Sequence, residues 1–440
     1  IWTIIGLYVI LIILLHLPAV QDLLGARVAD AIEKKFGTQA SVGRVDVGFF
    51  NRLIIDDVSV LDQKGDSMFA ASRMAAKVDL WALAKGKVII SSAQIFGLKA
   101  LLYKQTADAR PNYQFVVDSL ASHPSQKHTP LDLRLNSLII RHGDIKYDQK
   151  DVAPSPTFDL HHLHLTEVSS HIILNHLTDH NIDLNVKKLV FREASGLDLK
   201  QLRFKLTANR HEAILDNFRM DLPGTSLALG PIKVTYSMTG KKIDIPSVEF
   251  TGSILQSEIT LSDFSFLMPQ FHRFINPVFL STSFRGTSSR LQISGLALKA
   301  ATGSINLQAS AVLSYWNNQY HWLTHISHLF LRRDGIQFLL DNLGTRWHIP
   351  SLITRLGTLD FSGRIGGYDQ NIAVIGALKC DAGDAVLALG KHQRNFTARI
   401  NVRKADLGRI LNDRHFGITT ADLDIDGHLP SRGIPDLVAK

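Results

Sequence analysis

Ile305-Asn306-Leu307-Gln308-Ala309-Ser310-Ala311 and Phe396-Thr397-Ala398-Arg399-Ile400-Asn401-Val402 carry an apolar side chain at every second position. On a pleated strand successive side chains point to opposite faces, so each stretch makes one oily face and one wet face. The pattern recurs from Leu131 almost to the last residues. Leu131, Leu133, Leu135, Ile139, Ile145 and Tyr147 hold one parity, and Asp132, Arg134, Asn136, His142, Asp144 and Lys146 hold the other. Ile182, Leu184 and Val186 repeat the scheme, as do Ile232, Val234, Tyr236 and Met238, and then Leu423 and Ile425. A slip of parity inside Leu197 to Leu206 reads as a β-bulge, which keeps the oily side of a curved sheet on one face. Many strands sharing one apolar surface are predicted. Its lining is expected to include Leu131, Leu133, Leu135, Ile182, Leu184, Val234, Tyr236, Ile305, Leu307, Phe396, Ile400, Leu423 and Ile425.

At 440 residues the chain exceeds the ~250–300 at which one hydrophobic core stops growing, so several domains or one repeat-like body are expected. A hydrophobic content of 45% with 20% charged residues is that of a folded chain rather than a disordered one. The net charge of +8 is spread thinly. It permits a mild attraction to anionic surfaces, and without a basic run or a basic helix interleaved with aromatics it does not argue for nucleic acid as a partner. Cys380 stands alone, which excludes an intrachain disulfide and a cysteine-based metal site.

Ile1 to Leu17 contains no charged residue, and only Thr3, Gly6, Tyr8 and His16 interrupt its apolar run. Seventeen residues at ~1.5 Å each span ~26 Å, close to the lower limit for crossing a bilayer. Residues 1–20 are therefore predicted as a transmembrane anchor, with Ile4, Leu7, Ile10 and Leu14 toward lipid. A cleaved signal peptide is the competing reading, but Leu17-Pro18-Ala19 matches its cleavage site poorly. Residues 21–37 keep helical spacing through Leu24, Val28, Ala31, Ile32 and Phe36, with Gly37 as the stop. This amphipathic helix is expected to plug one end of the sheet or to lie on the membrane surface. A β-rich module over 38–121 and a linker over 122–130 precede the long strand series of 131–440. Within them, Tyr113 to Leu120, Pro269 to Ile275, Gly335 to Leu343 and Leu407 to Leu411 are predicted helical. With Ile1 first and no terminal signal at Lys440, the chain reads as a piece of a longer one.

Motifs for chemistry are few. His162 and His164 share one side of a strand with His171, His176 and His180 near by, but no carboxylate or cysteine completes a ligand set. His321, His325 and His328 would share a helix face, in sequence that is more strand-like. Asp422-Leu423-Asp424-Ile425-Asp426-Gly427 begins like a calcium loop, yet Gly433 stands where the twelfth-position glutamate should be. Asn395-Phe396-Thr397 matches a glycosylation sequon by pattern alone. No nucleophile elbow, phosphate-binding loop or dinucleotide fingerprint occurs, so neither an enzyme nor a cofactor or metal is expected.

Alternation by itself leaves two architectures open: an apolar face sealed by a second sheet, or an open trough. A family resemblance bears on that choice. The apolar segment followed by Leu17-Pro18-Ala19-Val20-Gln21, then Ala40-Ser41-Val42-Gly43-Arg44-Val45 leading to Leu53-Ile54-Ile55-Asp56-Asp57-Val58-Ser59-Val60, resembles TamB-like members of the AsmA-like superfamily. Leu359 to Gly366, Ile375-Gly376-Ala377-Leu378 with Gly383, and Ala405-Asp406-Leu407-Gly408-Arg409-Ile410-Leu411 resemble it in the same order. The resemblance implies a mainly β protein: a single inner-membrane helix followed by an elongated, curved, taco-like β-groove with a few short helices, the bulk of it in the periplasm. It implies phospholipid as cargo, carried toward the outer membrane, or alternatively a role in assembling outer-membrane or secreted proteins. It also implies a barrel partner of the insertase type, met through a C-terminal domain that has no counterpart before Lys440, and it supplies no catalytic residues. A conduit must be apolar throughout, because each CH₂ exposed to water costs ~0.8 kcal/mol and a 16-carbon chain therefore ~13 kcal/mol.

Overall fold

The computed structural model describes residues 17–48, 52–78, 88–121, 131–155, 157–177, 181–240, 242–342, 355–428 and 436–439. The protein is mainly β. Its chain divides into two units, Ile1–Leu206 with Met220–Pro223, and Thr207–Arg219 with Gly224–Lys440.

In the first unit the long helix α1 (Pro18–Phe36) carries a proline in its first turn and ends at Gly37, whose φ of 66° lets its N–H reach the Glu33 carbonyl at 2.7 Å. Its Val28 and Ile32 pack on a core of Val45, Ile55, Val58, Val60 and Met68. The helix therefore lies on the first strands, and its buried Gln21 donates to the Asp46 carboxylate. The predicted membrane-spanning helix over 1–20 is not supported. Pro18–Val20 belong to α1, Ile4, Leu7, Ile10 and Leu14 lie outside the described residues, and among the described residues no helix is long and apolar enough to cross a membrane.

Strands β1 (Ala40–Ser41), β2 (Val45–Gly48), β3 (Arg52–Leu61) and β4 (Ser67–Val78) form antiparallel ladders around β3. Within the β-rich module the strand-like stretch from Val88 to Lys104 forms two strands, β5 (Val88–Phe96) and β6 (Lys99–Lys104). Gly97 breaks it with φ of 62°, at a point where a side chain would collide with Ser72. Both pieces pair with β4 on one side and run parallel to β7 (Leu131–Gln149) on the other. Parallel neighbours need a crossover, and α2 (Gln114–Ala121) lies within it. Strands β8 (His162–Leu177) and β9 (Ile182–Glu193) continue the sheet antiparallel, and β10 (Asp198–Ala208) pairs with β9. A bulge at His142, φ 55°, shifts the phase of β7. As a result Leu138 and Ile140, rather than the expected Ile139, share a face with Ile145.

The second unit is an antiparallel meander. Strand β11 (Glu212–Asp221) pairs with β13 (Ile232–Thr239), and β12 (Ser226–Ala228) pairs with β14 (Lys242–Ile259). From β13 each strand then pairs with its successor: β15 (Val278–Thr287), β16 (Arg290–Ala300), β17 (Ile305–Trp316), β18 (Gln319–Leu331), β19 (Leu359–Tyr368), β20 (Asn371–Cys380), β21 (Gly383–His392), β22 (Asn395–Asp406), β23 (Ile418–His428) and β24 (Asp436–Ala439).

The two rims of this meander differ. One has two-residue turns, such as Asn317-Asn318 with φ of 50° and 61°, the left-handed pair that matches strand twist. The other holds the insertions: two 3₁₀ turns (Leu261–Phe264 and Pro269–Arg273), α3 (Arg333–Asn342) and α4 (Leu407–Leu411). Thus the predicted helix at Pro269 to Ile275 is a 3₁₀ turn, while those near 335 and 407 are present. Asp406 caps α4 by accepting from the Arg409 N–H at 3.0 Å. The Arg409 guanidinium then binds the Arg355 carbonyl at 3.0 Å and the Asp381 carboxylate at 3.2 Å, tying three connections together. The Thr358 hydroxyl and N–H, and to a lesser extent Arg409, hold the Asp381 carboxyl below its usual range.

In the first unit the turn after β3 is held by Asp62, which is 2% exposed. Its carboxylate accepts from the Tyr103 hydroxyl at 2.8 Å and from the N–H groups of Lys64 at 2.8 Å and Asp66 at 3.0 Å. Burial pushes the Asp62 carboxyl up, but these donors outweigh it and leave it below the ordinary value; the hydrogen bond to Asp62 pushes Tyr103 up to about 12. Tyr103→Phe should cost about 1–2 kcal/mol in denaturant unfolding near neutral pH. The lowered Asp62 contributes fully above the usual carboxylate value and fades as pH falls through its folded one. The raised Tyr103 contributes fully below about 10 and fades as pH rises through about 12. The stability gap between parent and variant should therefore be level from about pH 5 to 9 and close at both extremes.

Candidate functional site

Cross-strand partners share a face, so the register shows which expected lining residues stand together. One rung of the second unit runs Gly252, Phe284, Ile293, Ala311, Thr324, Ile365, Val374, Leu389, Ala398 and Ile425 across ten successive strands. At ~4.8 Å between strands this row is about 43 Å long. A second row passes from Leu298 through Leu307, Leu329, Phe361, Leu378, Ala385 and Val402 to Ala421. Ile400 stands between Leu387 and Leu423, and Phe396 opposite Lys391. Val234 joins the same face opposite Phe250 and Ala213, and Tyr236 follows it by parity. All eight expected lining residues of this unit thus share one side.

In the first unit Leu184 stands opposite Leu174 and Val186 opposite Ile172, which faces Leu138; Ile182 shares their parity. Leu131, Leu133 and Leu135 lie in β7, but their side chains fall outside the described ones.

The two units treat their apolar faces differently. Both clusters of buried hydrophobic residues, one around Val58 and one around Ile95, belong to the first unit. In the second, among the described residues, the buried apolar side chains of this face lie toward the insertion rim: Ile305, Ala309 and Ile326 are buried, Gly335 of α3 sits against the Ser304 carbonyl, and Ile336 is buried. Away from that rim Ile372 is 41% and Leu423 40% exposed, and Phe396, Ile400 and Ile425 are half-buried. Residues sealed between two sheets lose nearly all their exposure. Glycines set opposite large rings adjust the surface: Phe284 lies over Gly252, Phe250 over Gly286, and Phe361 over Gly376. A side chain at any of these glycines would strike the ring.

The opposite face carries the charge. Asp422, Asp424 and Asp426 all point there, with Arg399 3.6 Å from Asp424, so the calcium-like stretch is the wet side of β23. Asp360, Lys379, Asp384 and Arg403 follow one another across four strands on the same side. The sequence pattern missed much of the apolar face between β19 and β21. In Asn371 to Cys380 apolar residues occupy both parities, with Ile372 and Val374 on one side and Ala373 and Ile375 on the other. Only pairing to the flanking strands separates them.

Of the histidines singled out by spacing, His162 and His164 are engaged by neighbours, and His180 lies outside the described residues. His162 Nδ1 lies 3.1 Å from Asp148 and its Nε2 2.8 Å from the Val152 carbonyl, and His164 Nε2 lies 3.1 Å from Asp144. Among the described residues no group of three or more His, Cys, Asp or Glu side chains converges on a metal position. His321 and His325 stand on one side of β18 and are strand residues, not helical ones.

Compared with protein-family models, with curated proteins and with solved structures, the chain finds no match.

Oxygen acceptors on both ring nitrogens favour the charged imidazole, and the Asp148 hydrogen bond, the larger influence, raises the His162 pKa. A raised folded value means its contribution is whole below the ordinary imidazole pKa and is lost as pH rises through the folded one. Asp148→Asn should therefore lower the His162 midpoint in an NMR titration; an unmoved His162 midpoint would contradict the assignment.

Proposed function

We infer that the protein binds lipid acyl chains on the apolar face of its sheet and guides them along it. The observation that supports this is the largely apolar row crossing ten strands of the second unit, whose residues stay partly exposed, with Ile372 and Leu423 beside it on the same face 41% and 40% exposed. Hydrocarbon is the partner such a surface calls for, since contiguous exposed apolar area beyond a few hundred Å² marks an interaction site. Non-directional burial also lets a chain slide from rung to rung, because no hydrogen bond must break at any step. The wet reverse face, with its aspartates and arginines, keeps the sheet in solution.

On this reading the sheet is an open trough, and the resemblance to TamB-like proteins supplies the wider setting. Phospholipid is the cargo, an inner-membrane anchor precedes the sheet in a periplasmic bridge, and an outer-membrane barrel of the insertase type receives the far end through a further domain.

The test uses the full chain in mild detergent with a diazirine-bearing palmitoyl phospholipid. Crosslinking should map to Leu387, Ile400 and Leu423. Leu387→Asp and Ile400→Asp should cut the yield at least fivefold, because a desolvated carboxylate beside hydrocarbon costs several kcal/mol. Val386→Asp, one residue away on the reverse face, should leave it unchanged. Equal loss from both classes, or co-purification of polypeptide with no lipid, would reject the reading.

A further inference from the structure

The aliphatic face of the second unit changes character from one rim to the other. Beside the two-residue turns, one cross-strand row carries Trp322, Gly367, Ile372, Lys391 and Phe396 on β18 to β22, and Tyr315 faces Tyr320 one step further out on the same side. The two tyrosine rings stand 4.8 Å apart and are 43% and 63% exposed. The Trp322 indole leans over Gly367, where a side chain would crowd it. Toward the insertion rim β21 presents Leu389, Leu387 and Ala385 on this face, and Ile305 and Ile326 are buried there.

Lys391 stands out by its charge. Among the described residues of β15 to β23, register places no other charged side chain on this side. Its Nζ donates to the Gln370 carbonyl at 3.1 Å and, among the described residues, enters no ion pair. An ammonium carries three donors, so two are left for an anion. Tryptophan, tyrosine and lysine are the side chains that gather where hydrocarbon meets water: the rings bury an apolar body and keep a polar tip wet, and lysine lays its stem on apolar ground with its charge outside. Here they follow one edge of an apolar face. Length agrees with a single lipid tail: from Lys391 to Ala385 the strand covers about 20 Å at ~3.4 Å per residue, and one leaflet of a ~30 Å hydrocarbon core is about 15 Å deep.

We propose that phospholipids lie along the strands, with the headgroup phosphodiester on Lys391 at the rim of short turns and the tail ends toward the insertion rim. This rests on the lipid reading and gives the bound molecule a direction. The ammonium then meets the negative charge that the protein does not supply, in a charge-assisted hydrogen bond. The reverse orientation would set the phosphate among Leu378, Ala385 and Val402 and strip water from it.

The test maps contacts on the unaltered full chain in mild detergent, using two phosphatidylglycerols whose diazirine sits either beside the ester or at the last carbon of a palmitoyl chain. The ester-side probe should label Ile372 and Leu389, and the terminal probe Leu378 and Ala385. Lys391→Gln should cut phospholipid labelling about tenfold, the worth of one charge-assisted hydrogen bond, and leave labelling by a diacylglycerol with the same diazirine chain within about twofold; Lys391→Arg should preserve both. Identical labelling by the two probes, the reverse order, indifference to Lys391→Gln, or equal loss of phospholipid and diacylglycerol would each overturn this orientation while leaving acyl binding in place. No labelling of the apolar face by either probe would overturn the lipid reading along with it. Because the mapping needs no variant, it remains decisive if Lys391→Gln fails to fold.

Discussion

Hydrogen-bond register, handed from one strand to the next, is the constraint on which the broad meander depends. Side chains on a strand alternate with a period of two, so a one-residue slip anywhere would carry every later aliphatic group to the wet side. Five consecutive ladders from β14 to β19 contain such a shift, at Ile254/Ser257, Ser281/Ser283, Ile293/Leu296, Gln308/Ala309 and Ile326/Leu329. Because each strand answers the irregularity of its neighbour, parity survives: Leu280, Leu298, Leu307, Leu329 and Phe361 remain on one side. A bulge also bends its strand and increases local twist, so a band of them shapes the sheet without costing it its two-sided chemistry.

The same alternation produces different energetics in the two units. In the first, α1 and the crossover before β7 supply apolar side chains, including Val28, Ile32 and Phe115, that cover the strands. In the second, the described helical pieces gather on one rim, and Ile372 and Leu423 away from it are exposed. Aliphatic groups left half wet contribute only part of the stabilisation that full burial would give. What holds those strands is therefore chiefly backbone pairing, supported by ring-over-glycine contacts such as Phe361 on Gly376 and by the Arg409 clamp.

Much of this was legible in the chain where alternation is clean. Ile305 to Ala311 and Phe396 to Val402 are strands with the expected parity, and all eight lining candidates of the second unit lie together. Legibility failed for physical reasons. At His142 a left-handed residue inserted an extra step that no hydropathy pattern records, moving Ile139 off the face it was assigned to. At Gly97 a run that is uniformly strand-like divides because only the backbone angle changes. The parallel pairing of β5 and β6 with β7 joins segments some 40 residues apart, and period-two patterns carry no directional information.

The contrast between the two rims has an evolutionary reading. Where consecutive strands are joined by two-residue turns, a hairpin can be duplicated or lost as a unit, adding or removing about 9.6 Å of width while every neighbouring pair keeps its partner. The rim bearing α3 and α4 tolerates no such freedom, since those pieces reach across to more than one connection. A sheet built on this plan can thus change its span by whole hairpins with the cross-sectional chemistry left intact.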